Sequence, residues 1–365
     1  GVLLCELKMY DDGIHSLTKA FKLNADSNYL LGNLIQAKLM IAMWDQLNND
    51  VNLVIDKINL QKKVIAPFSL LAITDCPKLQ KDTAEIWVND NFPSNIIENY
   101  PHKELRSKIR IGYFSADFKN HPVAHLTAEI IELHNREQFE VFGFSLKPAD
   151  PNDQMHQRLS NGFDQFIDVS AKSDKEISQL AKNLEIDIAI DLGGHTHGSR
   201  TGLFSYRASP IQVNYLGYPG TMGAKYYDYI IADPHLIPEE NRQFYTEAVA
   251  YMPNSYMVDD SKRIATNKFT TRAEYNLPED KFIFCCFNNS YKFNPKMLSM
   301  WSKILRQVEN SVFWIPENNP SFKKNIVNEF VKLGINKERI VFSQKVSLME
   351  DHLARLKLAD LFLDT

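Results

Sequence analysis

His121 and His125 stand one helical turn apart in FSADFKNHPVAHL, residues 114–126, directly after an apolar run. Such a pair could ligate a metal, move a proton, or simply pack. The HxxxH spacing suits two ligands on one helix face, but the intervening glutamate of the zincin motif is missing and no third ligand can be identified. Pro122 fits the first turn of a helix, which puts His121 at or near the N-cap and directs it toward a cleft at the positive end of the dipole. Val123, Leu126 and Ile130 mark the apolar stripe. His125 therefore reads as a packed, hydrogen-bonded histidine that shares or flanks that stripe.

Three further loops carry residues of the right type. In DLGGHTHGSR, residues 191–200, Gly193, Gly194 and Gly198 allow tight turns and close backbone approach, while His195, Thr196 and His197 supply donors and acceptors. LGYPGTMG, 216–223, follows the apolar IQVNY, and seven of the 14 glycines fall between 193 and 223. That crowding favours a substrate-lining wall over scattered turns. In FNNSYKFNP, 287–295, Asn289 and Lys292 precede a helix whose N-terminus suits phosphate; the plainer reading is a solvated lysine. HLARLKLAD then sets His352 and Arg355 three apart, able to meet a planar base together, although alone such a pair is usually a surface feature. No DxD and no carboxylate cluster could hold a divalent cation at a pyrophosphate, so no metal is expected. If a nucleotide binds, helix N-termini and Lys292 must neutralise it.

These loops need strands behind them. From residue 106 apolar, β-branched stretches alternate with helical ones: KIRIGYFSAD, a helix over 121–134, FEVFGFSL, a helix over 173–185, and IDIAIDLGG. A second series runs KFIFCCF, helix 295–308, SVFWIP, helix 320–333, RIVFS, helix 347–359 and LFLDT. Such alternation predicts parallel sheets covered by helices, and ligands bind beyond the carboxyl ends of such strands. Residues 1–100 show no convincing strand and read as helices. In the first, Tyr10, Gly13, Leu17 and Ala20 stand where a tetratricopeptide repeat places its small and apolar residues, with Ala25 in place of the usual proline; any amphipathic helix pair fits as well. The expected domains are 1–100, all-α; 106–260, a first α/β domain; and 270–365, the first half of a second.

The 365 residues, 44% hydrophobic and 24% charged, describe an ordinary soluble chain able to bury more than one core. A net charge of −4 and the lack of a basic run argue against broad attraction to nucleic acid or an anionic membrane. The four cysteines form no CxxC pair and read as free thiols in a reducing compartment. No secretory pattern and no apolar run near the roughly 20 residues of a membrane span is present, so a cytoplasmic location is expected. The chain starts at Gly1 and stops just after a strand-like stretch, and it looks cut at both ends.

Taken in order, SADFKNHPVAHL, GGHTHGSR, ASPIQVNYLGYPGTMG, DYIIADPHLIP, AYMPNSY, CFNNSYKFNP and HLARLKLADLFLDT resemble the O-linked N-acetylglucosamine transferase family with its SPINDLY-like relatives, in bacterial-type form. The resemblance spans nearly the whole chain. It implies a GT-B fold, two Rossmann-like domains in tandem with the second truncated here, preceded by a tetratricopeptide-like segment that recruits protein acceptors. It also implies metal-independent, inverting transfer of N-acetylglucosamine from UDP-GlcNAc to Ser or Thr hydroxyls of proteins, with no cofactor. His121 matches the histidine proposed as general base or acceptor-side organiser. Asn289, in place of the glutamine of animal enzymes, and Lys292 match the contacts to the donor diphosphate. Residues near Val346 should offer backbone groups to the uracil, with His352 and Arg355 on the base. Thr196 and the loop Gly217, Pro219, Thr221 should line the sugar and acceptor. The family continues past FLDT into a His-Thr-Thr loop that holds the phosphates, so this stretch reads as a fragment and as inactive by itself. GDP-fucose as donor, or a non-catalytic scaffold, are the alternatives.

Overall fold

A computed structural model describes residues 1–95, 106–263, 265–266 and 270–365; the end of the expected helical segment, 96–100, lies outside them. The amino-terminal part is helical: α1 (Val2–Glu6), α2 (Tyr10–Leu23), α3 (Leu30–Met40), α4 (Leu47–Asn59), α5 (Pro67–Leu70) and α6 (Pro77–Asn91). Three- and four-residue spacing brings Ile14 and Leu17 of α2 onto Leu30, Leu34 and Ala37 of α3 in one buried cluster. The helical stretch after Tyr29 is broken where Ala42 takes a left-handed φ of 52°. The Ala42 and Met43 N–H groups donate back to the Leu39 and Lys38 carbonyls at 3.2 and 2.9 Å, which closes α3 without a glycine.

Contacts divide the described chain into two compact units, residues 58–262 and residues 1–57 together with 263–365. In the first, strands and helices alternate through β1 (Ile109–Ser115), α7 (Pro122–Leu133), β2 (Phe139–Ser145), α8 (Gln154–Gly162), β3 (Gln165–Asp168), α9 (Asp174–Asn183), β4 (Ile188–Asp191), α10 (Gly202–Ser205), β5 (Ile211–Asn214), β6 (Tyr229–Ala232) and β7 (Ala248–Tyr251). They form one parallel seven-stranded sheet in the order β3-β2-β1-β4-β5-β6-β7. Register sets Ile111 beside Val141 and Ile188, and Ile190 beside Val213. Both faces are covered, one by a cluster that includes Phe114, Phe144 and Phe204, the other by one that includes Tyr113, Val141 and Ile131. That double burial is why β1 and β2 read as continuous apolar runs. The elements α8, β3, β6 and β7, absent from the sequence reading, are short; β3 carries only part-buried or exposed residues.

The other unit continues with β8 (Phe282–Cys285), α11 (Pro295–Gln307), β9 (Ser311–Pro316), α12 (Pro320–Lys332), β10 (Ile340–Ser343), α13 (Met349–Leu356) and β11 (Leu361–Phe362). Its four-stranded parallel sheet has the order β10-β9-β8-β11. Two of its helices start on the same local signal, an asparagine N-cap followed by proline: Asn294 accepts from Met297 N–H at 3.0 Å and Asn319 from Phe322 N–H at 2.8 Å. Within this unit the amino-terminal helices pack on the carboxyl-terminal sheet domain. Asn319 and Asn325 side chains donate to the Met40 and Ile41 carbonyls at 3.0 and 2.7 Å, capping the end of α3 from 279 and 284 positions away.

Candidate active site

Both sheets reverse their strand order beside their first strand, at β1/β4 and at β8/β11. A crevice opens at such a switch point beyond the carboxyl ends of the strands, and loops there are the ones placed to bind ligands. Of the sequence-predicted residues, His121 follows β1, Thr196 follows β4, Gly217, Pro219 and Thr221 follow β5, and Asn289 and Lys292 follow β8, whereas Val346 follows β10 and His352 and Arg355 lie on α13.

After β1 the chain turns through Asp117 to His121, the N-cap of α7, with extended backbone at φ −148°, ψ 148°. His121 Nδ1 accepts from Val123 N–H at 3.3 Å and lies 3.6 Å from Asp117 Oδ2. Burial lowers the His121 pKa from its ordinary value, Asp117 opposes that shift, and Lys119 adds to it. The ring is therefore neutral near pH 7. The cap bond needs a lone pair on Nδ1, which leaves the hydrogen on Nε2. A base at Nε2 needs the other tautomer, with Nδ1–H turned to Asp117. His125 is buried and paired through Nε2 to Asn120 Oδ1 at 2.9 Å, as a packed histidine should be. Among the described residues no three His, Cys, Asp or Glu side chains gather as a metal ion would require, and no helix is long and apolar enough to cross a membrane.

The glycine wall follows β4, next to β1 in the sheet, and β5 beyond it. Asp191, buried at the end of β4, accepts from Gly193 and Gly194 N–H at 2.9 and 3.0 Å through Oδ1 and from the Tyr227 hydroxyl at 2.5 Å through Oδ2. Gly194 has φ 56°, and a Cβ on Gly217 would collide with the Leu192 carbonyl oxygen. The two loops thus meet backbone to backbone, which only glycine permits. Thr196 Oγ1 donates to Gly193 O at 2.7 Å. Thr221 is buried, and its hydroxyl donates to Glu247 at 2.6 Å. The other Glu247 oxygen accepts from Met222 N–H at 2.6 Å, while Pro219 O accepts from Tyr245 at 3.2 Å. Both threonine hydroxyl hydrogens are therefore committed to shaping the wall, and toward a ligand these hydroxyls can only accept. Sequence reasoning missed Asp191 and Glu247. The only local signal for Asp191 is its place before the glycines; Glu247 has none.

His195 Nε2 donates to Met222 O at 2.9 Å, its ring stands edge-on to Tyr218, and burial pushes its pKa down to about 4. The unfolded chain, with an ordinary histidine, binds a proton below about pH 6.5 while the folded one does not until about pH 4. Stability should hold above that window and fall, by up to about 1.4 kcal/mol per pH unit, as pH drops through it. Urea midpoints of wild type and His195→Gln across the window check this; equal pH slopes in the two proteins would refute it.

In the other unit, Asn289 precedes the 3₁₀ turn Ser290–Lys292, and both Asn289 and Lys292 are exposed. Among the described residues Lys292 has no carboxylate partner, leaving a full positive charge at the switch point just past β8. Val346 lies half-buried in the loop between β10 and α13. Arg355 of α13 is only 5% exposed. Its Nε and Nη2 donate to His352 Nδ1 at 3.0 and 2.8 Å, and its Nη1 donates to Ser343 Oγ and Gln344 O at 2.9 and 2.7 Å. A guanidinium has five N–H bonds, so one is left for a ligand, and Arg355 can reach a base through that single donor without rearrangement. Burial and the Arg355 charge push the His352 pKa down to about 4, and the ring is neutral with its hydrogen on Nε2.

Two parallel α/β units in one chain, each with polar loops at its switch point, make up the GT-B class of glycosyltransferase fold. The model described as Glycosyl transferase family 41 matches residues 95–268 and 263–365, and the chain belongs to that family. It is 38% identical over 263 residues to the probable UDP-N-acetylglucosamine–peptide N-acetylglucosaminyltransferase SEC of Arabidopsis thaliana, an alignment covering 71% of this chain and 27% of that protein. The Caenorhabditis elegans UDP-N-acetylglucosamine–peptide N-acetylglucosaminyltransferase is 28% identical over 374 residues, covering 71% and 32%. The solved structure of a Thermobaculum terrenum O-GlcNAc transferase mutant superposes with a TM-score of 0.76 at 23% identity, covering 98% of this chain and 68% of the other. The chain thus spans about a third or less of the curated relatives it matches.

Proposed function

We propose that this chain is the catalytic part of a protein O-glycosyltransferase that moves N-acetylglucosamine from UDP-GlcNAc to Ser or Thr hydroxyls, with inversion and without a metal ion. The observation that carries the reading is the family match across both units, coinciding with an unneutralised lysine at the switch point of the second sheet. In the transfer, the sugar C1–phosphate oxygen bond breaks as the acceptor oxygen attacks C1, and UDP leaves with the electron pair. Lys292 meets the charge that grows on the diphosphate. The acceptor proton passes to His121 or to the departing phosphate. Backbone of the glycine wall, around Thr196 and from Gly217 through Pro219 to Thr221, lines the sugar and acceptor. Asn289 adds a diphosphate contact, and the loop at Val346 with His352 and Arg355 holds the uracil. The α2–α3 hairpin is the end of a tetratricopeptide-like array that recruits protein acceptors, and the working compartment is the cytoplasm. Calorimetric titration with UDP, UDP-GlcNAc and GDP, in the presence of EDTA, tests the donor; UDP is expected to bind most tightly. Preference for GDP would redirect the reading to a GDP-sugar such as GDP-fucose, and loss of binding in EDTA would overturn metal independence.

A further inference from the structure

Resting on that nucleotide reading, we infer that Phe287 is a positioning residue of the nucleobase end, acting through Arg355 on His352. Phe287 lies two residues past β8, packed edge-on to the fully buried Trp314 of β9, with ring centroids 4.8 Å apart. The Arg355 guanidinium sits 4.5 Å from the centre of its ring, and the His352 ring meets it edge-on at 5.4 Å and 88°. One aromatic ring therefore touches both residues that sequence assigns to the base.

The charge of Arg355 makes this contact consequential. It is nearly out of water, and among the described residues no carboxylate pairs with it. Its positive charge is met by Ser343 Oγ, the Gln344 carbonyl, His352 Nδ1 and the π face of Phe287. A cation held over an aromatic face gains most when desolvated. Arg355 in turn can only donate, so two of its N–H bonds on Nδ1 oblige His352 to carry its hydrogen on Nε2. Phe287 and the end of β10 hold Arg355, Arg355 holds the tautomer, and the pair presents N–H donors alone to a ligand. Such a surface suits the acceptor oxygens of a keto base.

The test compares Phe287→Leu, which keeps bulk and removes the π face, with Phe287→Tyr, which keeps the face. In the full-length protein, Phe287→Leu should weaken UDP binding by about 3- to 30-fold and raise KM for the donor while leaving kcat at saturation close to wild type. Phe287→Tyr should bind UDP like wild type. The ¹⁵N shifts of the His352 ring should report hydrogen on Nε2 alone in wild type and a mixture of tautomers in Phe287→Leu. Unchanged UDP affinity together with an unchanged His352 ring would overturn the inference. Should the leucine variant melt early, Phe287→Met carries the same expectation. If wild type itself binds no UDP, the nucleotide reading fails, and the ring shifts still decide whether Phe287 holds the tautomer.

Discussion

Lys292→Ala should cut turnover by about 10²- to 10³-fold at saturating donor, the scale on which removal of one preorganised charge donor acts. The lysine is exposed on a short turn and has no carboxylate partner among the described residues, so its loss leaves the fold intact and removes charge from the loop just past β8. Negative charge on the diphosphate is greater in the transition state than in the bound donor. The loss should therefore fall on kcat more than on UDP binding. Stopped or continuous assay of sugar transfer to a protein acceptor, with UDP release as a second readout, measures it. A kcat near wild type with saturating donor would remove Lys292 from the mechanism.

His121→Ala should lower kcat by at least roughly tenfold, and up to about 10⁴-fold if the ring is the base. The pH–rate profile separates the roles. A base works when deprotonated, so activity should rise with pH through the His121 pKa and level off above it. Burial places that limb below the ordinary histidine value. The limb should vanish in His121→Ala. Asp117→Asn then distinguishes proton acceptor from organiser. The base tautomer needs Nδ1–H directed to Asp117, 3.6 Å away, whereas the N-capping tautomer needs only the Val123 N–H. Loss of rate in Asp117→Asn, with the melting temperature held, supports the base. A silent Asp117→Asn beside a crippled His121→Ala supports a donor or organiser through Nε2–H. Full activity and an unchanged profile in His121→Ala would refute both roles.

Much of this site was legible because its signals are local. Pro122 after His121, and the Asn-Pro pairs at 294–295 and 319–320, announce helix starts through a missing N–H and a capping side chain, and all three hold in the structure. The continuous apolar runs of β1, β2 and β9 announce strands buried on both faces. The demotion of His125 to a packed residue rested on the apolar stripe of one helix, and its bond to Asn120 agrees. The short strands β3, β6 and β7 escaped because four residues with mixed exposure carry no periodic signal; they exist only because a neighbouring strand offers its free edge.

What the sequence determined by itself is the alternation of the longer strands with helices, and so which loops follow those strands, since both follow from patterns a few residues long. What only the tertiary structure decided is how those side chains are spent. Arg355 looked free to grip a base, yet most of its donors are consumed by His352, Ser343 and Gln344. Thr196 and Thr221 looked like ligand hydroxyls, yet they donate to Gly193 and Glu247. Helix α3 looked like part of a separate helical domain, yet side chains of the carboxyl-terminal unit cap it. A hydrogen-bond donor is satisfied by whichever acceptor the fold brings within about 3 Å, and buried donors must be satisfied. Several of these partners lie tens to hundreds of residues apart, where no local pattern can name them.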